Sequence, residues 1–238
     1  MKRTAIILAL LGLGVLTVGV GCKPDKTGPA AAVPAAGAPD ATPPVVEAIS
    51  QLNLTPPGTP ISDKAFVTAW AVFGPFKFKE TDFGGDQQQA SVDKAFVADE
   101  AGLNGTQAVP AGVAWKVMKF TGGEGEGQID LDGIYDAADH ATAYAVAWLD
   151  APEEMKDLQI RFGSDDYAKI WINGKLVHTY KAERRSGEAD TDTVPGISLR
   201  KGTNRVVVKC VDVVMGWNFY FRLTDAKGTP VHAIPHGK

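Results

Sequence analysis

Few residues in this 238-residue sequence have the types and spacing that chemistry requires. Asp165 and Asp166 are adjacent acids in a polar turn. They could bind a metal or the hydroxyls of a sugar, or they could cap backbone N–H groups of the turn. A glycosidase needs two carboxylates facing each other across a cleft, roughly 5–10 Å apart, and neighbours on one turn do not supply that arrangement. The histidines are His140, His178, His232 and His236, and none stands at zinc-ligand spacing from a cysteine or an acid. No Gly-x-Ser-x-Gly elbow occurs, so a hydrolase triad has no foothold. Thr121-Gly-Gly-Glu-Gly-Glu-Gly127 lacks the Gly-Lys-Ser/Thr ending of a phosphate loop and carries glutamates that would repel phosphate, so it reads as a flexible loop. Asp130-Leu-Asp132-Gly133 resembles a calcium loop only faintly, since the third acid and the terminal glutamate are missing. The expectation is no metal, no cofactor and no catalysis.

Aromatic residues flanked by polar groups are the better lead. Rings stack on sugar C–H groups while amides, acids and arginines meet the hydroxyls. Trp171 alternates against Ile170 and Ile172, and Tyr220 against Phe219 and Phe221, so each faces away from its apolar neighbours. Arg184-Arg185 and the acidic stretch Glu188–Asp192 follow in one long polar connection, which reads as the mouth of a site or as a solvated loop. The candidate contact residues are therefore Asp165, Asp166, Trp171, Arg184, Asn218 and Tyr220. The competing reading of Trp171 is packing under a loop or in a second layer.

The elements that must position these groups are strands. From about Ile61 the chain runs in short apolar segments broken by Gly, Asp and Asn, the pattern of an all-β, antiparallel sandwich. Strands are expected near 65–73, 113–120, 128–131, 142–149, 158–163, 168–172, 175–180, 196–199, 205–213 and 217–224. Leu158, Ile160 and Phe162 alternate with Gln159 and Arg161. Trp217, Phe219, Phe221 and Leu223 alternate with Asn218, Tyr220 and Arg222, which places one set inward and the other outward. Asn173-Gly174 suits a two-residue type I′ hairpin, where both positions take positive φ. Lys201-Gly-Thr-Asn204 reads as a further turn.

The start of the chain bears on compartment. Met1-Lys2-Arg3, an apolar run from Thr4 to Val18 and the small residues before Cys22 form a secretory leader, residues 1–21. The run is short for a membrane span, which needs roughly 20 apolar residues. Small residues directly before Cys22 resemble the lipobox of bacterial lipoproteins, although Gly19 stands where that motif usually has Leu; the resemblance implies that Cys22 is lipidated. Residues 22–60 are rich in Pro and Ala and read as an extended linker, with 45–52 as a short helix. Residues 61–238 form the sandwich domain. Cys22 and Cys210 are the only cysteines, so no disulfide framework exists, and Cys210 reads as a small buried hydrophobe. With a net charge of −4 and no basic stripe, a nucleic-acid partner is set aside.

Several of these segments together resemble the galactose-binding-like jelly-roll modules of secreted bacterial proteins and of β-galactosidase-type glycosidases. They are Trp70-Ala-Val-Phe-Gly-Pro-Phe76, Ala143-Tyr-Ala-Val-Ala147, Gly163-Ser-Asp-Asp166 with Lys169-Ile-Trp-Ile-Asn-Gly-Lys175, Lys201-Gly-Thr-Asn-Arg-Val-Val-Val-Lys209 and Gly216-Trp-Asn-Phe-Tyr-Phe-Arg222. Tyr167 departs from the family, which often has Gly after the acid pair. The resemblance implies a jelly-roll β-sandwich serving as sugar binder, adaptor or scaffold. The resulting expectation is a non-catalytic, exported, envelope-anchored lipoprotein whose domain binds a glycan, held at the membrane through its lipid. The alternative is an assembly module of the cell envelope that recognises protein.

Overall fold

The run Val206–Val211 is apolar at both parities apart from Lys209. Successive side chains of a strand point to opposite faces, so such a strand is stable only if covered on both sides. The computed structural model, which describes residues 64–83, 88–119 and 126–231, covers it on both sides. The strands are β1 (Ala69–Lys77), β2 (Ala114–Lys119), β3 (Ile129–Asp130), β4 (Ala141–Ala151), β5 (Met155–Asp165), β6 (Tyr167–Ile172), β7 (Lys175–Tyr180), β8 (Asp192–Leu199), β9 (Gly202–Asp212), β10 (Asn218–Thr224) and β11 (Pro230–Val231). A single helical turn, α1 (Asp132–Tyr135), follows β3, and short 3-10 turns occupy Glu80–Phe83 and Gln88–Val92. One sheet has the order β2-β1-β4-β9-β6-β7; the other runs β11-β10-β5-β8, with β3 also pairing β10. The pairings are antiparallel. The chain is an all-β sandwich.

Between the sheets lie Trp70, Phe162, Trp217, Phe219 and Phe221. The β4 face opposing them is built from Ala141, Ala143, Ala145 and Ala147, whose small side chains leave volume for those rings. Trp70 meets Phe219 and Phe221 edge-on, with centroids 5.2 and 5.6 Å away. Cys210 belongs to this core, and burial pushes its thiol up, away from reactivity.

The other face of the larger sheet carries a second layer that the strand pattern did not announce. Residues between β1 and β2 fold over Phe73, Phe76, Tyr144, Val146, Trp171 and Val207, contributing Leu103 with Phe96, Val97 and Ala101. Lys209 fastens this layer. Its fully buried Nζ donates to the carbonyls of Val92 (2.9 Å) and Lys94 (2.6 Å) and to Glu100 Oε1 (2.8 Å). Tyr144 donates to the same Glu100 oxygen at 2.5 Å and accepts from Phe96 N. Burial pushes the lysine down and the phenol up, with Glu100 pulling the lysine back.

Each expected strand within the described residues is present, with shifted ends. The first runs over 69–77 rather than 65–73, because Gly74-Pro75 falls at a register shift between Phe73 and Phe76, where proline removes no needed donor. Strand β8 begins at Asp192 rather than near 196; Pro195 is tolerated because β8 is an edge strand. Asn173 and Gly174 take φ of 50° and 85°, as a type I′ turn requires. Asn173 Oδ1 accepts from Arg205 N at 2.9 Å, and its amide donates to Asn204, joining the two turns. Residues 1–63 and 232–238, with Cys22, the linker, His232 and His236, lie outside the described residues, as do 121–125 of the glycine-rich stretch.

Removing one member of a buried ion pair leaves an uncompensated charge, which costs about 3–5 kcal/mol. Glu100→Ala is expected to lower stability by about that amount in urea unfolding, and adding Lys209→Met should recover part of the loss. Unchanged stability in Glu100→Ala would show that this pair does not fasten the cover layer.

Candidate ligand-binding site

Antiparallel pairing of β5 with β10 sets a ladder on the outer face of the smaller sheet, with rungs Asp165–Asn218, Gly163–Tyr220 and Arg161–Arg222. The connection between β7 and β8, residues 181–191, lies along this ladder. Gly187 N donates to Asp165, Glu188 O reaches the backbone of Gly163, and Asp190 pairs with Arg222 while its carbonyl accepts from Arg161. The close approach depends on two glycines. A Cβ on Gly163 would stand 1.7 Å from Glu188 O, and one on Gly187 would stand 2.0 Å from Asn218 Oδ1.

Arg185 locks the same segment. Its guanidinium donates to both carboxylate oxygens of Asp192 (2.8 and 2.7 Å) and to Ser164 O, and stacks 3.4 Å from the centre of the Tyr180 ring. His178 Nε2 lies 3.0 Å from Asp192. Burial favours a neutral Asp192, yet the hydrogen bonds from Arg185 and His178 outweigh it and hold the carboxyl well below its usual range.

Asp166 is the knot at this end of the sandwich. Its buried carboxylate accepts from Val213 N (3.0 Å), Arg185 N (3.3 Å) and Arg184 Nε (3.4 Å), which joins the β5–β6 junction, the 181–191 segment and the β9–β10 loop. Arg184 extends the link by donating to Val214 O at 2.9 Å. Two more aspartates hold that loop, Asp139 accepting from Met215 N and Asp132 from Trp217 N.

Asp212, 1% exposed, stands behind them, and neither of its carboxylate oxygens finds a donor among the described residues. Burial, together with Asp166, Asp139, Asp132 and Asp165, pushes it up to about 8. Burial and the adjacent Asp166 push Asp165 up to about 6. Oxygen donors of this kind suit a hard divalent cation. Among the described residues, however, no group of three or more His, Cys, Asp or Glu side chains is placed to hold one. The raised carboxyl values of Asp212 and Asp165 are the counterpart of this crowding of like charge.

The six residues singled out from sequence therefore separate. Asp165, Asp166, Arg184 and Asn218 come together at one end. Asp166 is consumed internally, while Asp165 and Asn218 are partly accessible and the Arg184 side chain is 43% exposed. Trp171 does face away from Ile170 and Ile172, but it is only 7% exposed and packs into the second layer with Phe73, Tyr144 and Val207, so it offers no open stacking surface. Tyr220 is buried too, roofed by the 181–191 segment and edge-on to Phe66 at 6.1 Å. Alternation predicts which way a side chain points, but distant segments decide what covers it. Sequence reading missed Asp212, Asp132 and Asp139 as members of the cluster; the one available hint was Asp212 closing the apolar run of β9.

No protein-family model and no curated protein sequence matches this chain. Among solved structures it is similar to the Faecalibacterium prausnitzii β-glucuronidase at 18% identity and a TM-score of 0.33, over 64% of this chain and 22% of that one. A Ruminococcus gnavus β-glucuronidase gives 14% and 0.29, over 62% and 21%. A PA14 sugar-binding domain from an RTX adhesin gives 12% and 0.33, over 72% of this chain and 100% of that domain. This chain thus spans about a fifth of the length of the glucuronidases. At such scores the likenesses carry no weight, and the fold assignment stands on the strand pairing.

A carboxyl whose pKa is higher in the folded than in the unfolded chain makes the native state hold more protons between the two values, so stability falls as pH rises through that window. For Asp212 the window runs from about 4 to about 8. Melting temperature measured across it is expected to fall less steeply in Asp212→Asn than in the unsubstituted protein, because the amide stays neutral. Parallel curves for the two proteins would refute the buried, proton-bearing role of Asp212.

Proposed function

We propose that this domain is a non-catalytic carbohydrate-binding module of an exported lipoprotein, anchored in the membrane through Cys22. The carrying observation is the shelf at the Asp166 end of the sandwich, where the partly exposed Asp165 and Arg184 offer an acceptor and a donor beside Asn218, whose amide oxygen is buried against Gly187, and the hydrogen-bonded Asp166 carboxylate holds them from behind. A sugar hydroxyl both donates and accepts, so it needs carboxylate or amide oxygens beside N–H donors in fixed positions. The Arg184 guanidinium is bound on one side to Asp166 and Val214 O, which limits the entropy lost when a ligand docks. A basic leader, an apolar run and small residues before Cys22 support export and lipidation. Acyl chains contribute about 0.8 kcal/mol per buried methylene, so two or more hold a protein firmly on a bilayer.

Glycan-array screening of the purified domain tests the first part. Retention by at least one glycan is expected, and Asp165→Asn should weaken it about tenfold with little change in melting temperature. No retention on any glycan would reject sugar binding, and crosslinking to an envelope protein would then favour the assembly reading. Anchoring is tested separately in cells. Cys22→Ala should move the protein from the membrane to the soluble fraction; unchanged partitioning would reject lipidation.

A further inference from the structure

The loop between β9 and β10 is held more tightly than a connection requires. Val213 N donates to Asp166 (3.0 Å), Val214 O accepts from Arg184 (2.9 Å), Met215 N donates to Asp139 (3.1 Å) and Trp217 N donates to Asp132 (2.9 Å). Trp217 O in turn accepts from the backbone N of Leu131 and Asp132. Side chains from four separate positions thus fix a loop of five residues, and its apex exposes a methionine. Met215 is 79% exposed, well above the next large apolar side chains among the described residues, Leu176 at 48% and Val109 at 43%.

Its backbone compounds the anomaly. Met215 has φ of 81°, in the left-handed region that glycine enters freely and that strains other residues. Folding alone would be served better there by glycine or asparagine, which accept positive φ and keep the surface polar. Strain of this kind persists where surrounding contacts over-determine it, and such sites cluster at ligand clamps. Position gives the apex its use. Gly216 next to it lies so close to Asp165 that a Cβ there would stand 2.6 Å from Oδ2, and Arg184 bonds the preceding residue. The apex residue therefore adjoins the polar shelf on both sides along the chain.

We infer that Met215 is a ligand-contacting residue that supplies the apolar wall of the site, packing against the C–H face of a sugar whose hydroxyls engage Asp165 and Arg184. This inference rests on the carbohydrate reading and adds the residue that fills the role Trp171 and Tyr220 cannot. A soft, unbranched side chain adapts to more than one sugar ring, so broad rather than narrow glycan selectivity follows.

The test uses the array glycans that retain the unsubstituted protein, with free galactose, glucose, mannose and N-acetylglucosamine as soluble probes. Met215→Ala is expected to weaken binding about fivefold or more at unchanged melting temperature, and Met215→Gly to weaken it equally although it relieves the backbone. In dilute peroxide, saturating sugar should slow sulfoxide formation at Met215 but not at the partly buried Met155, read by mass spectrometry. Sugar binding that survives both substitutions, with unprotected Met215, would overturn the inference and leave the carbohydrate reading standing. Failure of every glycan and free sugar to bind the unsubstituted protein would overturn both.

Discussion

The end of the sandwich that carries the site depends on one buried carboxylate. Asp166 accepts three hydrogen bonds from two segments far apart in sequence, from Val213 N and from Arg185 N and Arg184 Nε, while its own N–H donates to Val211 O. A buried charge is tolerated only where hydrogen bonds replace the water it has lost. Meeting that requirement fixes the β9–β10 loop and the 181–191 segment together. If the carboxylate is removed, the backbone N–H of Val213 is left buried without an acceptor, and both segments lose their common tether. The shelf formed by Asp165, Arg184 and Asn218 is thus a consequence of satisfying Asp166.

The same rule operates at the opposite face of the molecule, in a different form. Lys209 is a cation in a strand otherwise apolar on both sides, and it is tolerated because two carbonyls and Glu100 receive its three protons. The acceptors all come from the segment between β1 and β2, so satisfying the lysine selects one arrangement of that cover layer. Hydrophobic contact through Phe73, Phe76, Trp171 and Val207 supplies the adhesion, and the polar knot supplies the register. Such a division is expected because apolar packing is non-directional and hydrogen bonds are not.

How much of this the sequence alone reveals follows from the range of the forces involved. Strand alternation and the Asn173-Gly174 turn depend on neighbours within a few residues, and both appear in the structure as the sequence pattern predicts. The facing of Trp171 and Tyr220 was likewise readable from period-two alternation, but their burial was not, since it is set by segments far away in the chain. The docking of 181–191 turns on Gly163 and Gly187, whose meaning emerges only when β5 is already paired with β10. Asp132 opens α1, Asp139 lies between α1 and β4, and Asp212 ends β9, and nothing in their spacing reveals that the topology gathers them.

That gathering shapes what the accessible acid can do. Asp132, Asp139 and Asp166 each have an oxygen engaged by a backbone N–H, so their charge is partly neutralised by dipoles. Asp212 has no such donor among the described residues and sits beside Asp165 and Asp166 as a reservoir for a proton. Asp165 titrates in this field with a value of about 6, raised by burial first and by Asp166 next. Near neutrality it accepts hydrogen bonds as a carboxylate, and slightly below it gains an O–H and can donate as well. Burial and Asp166 thus tune Asp165, a partly exposed carboxyl of the shelf, at the cost of crowding like charges at one end of the fold.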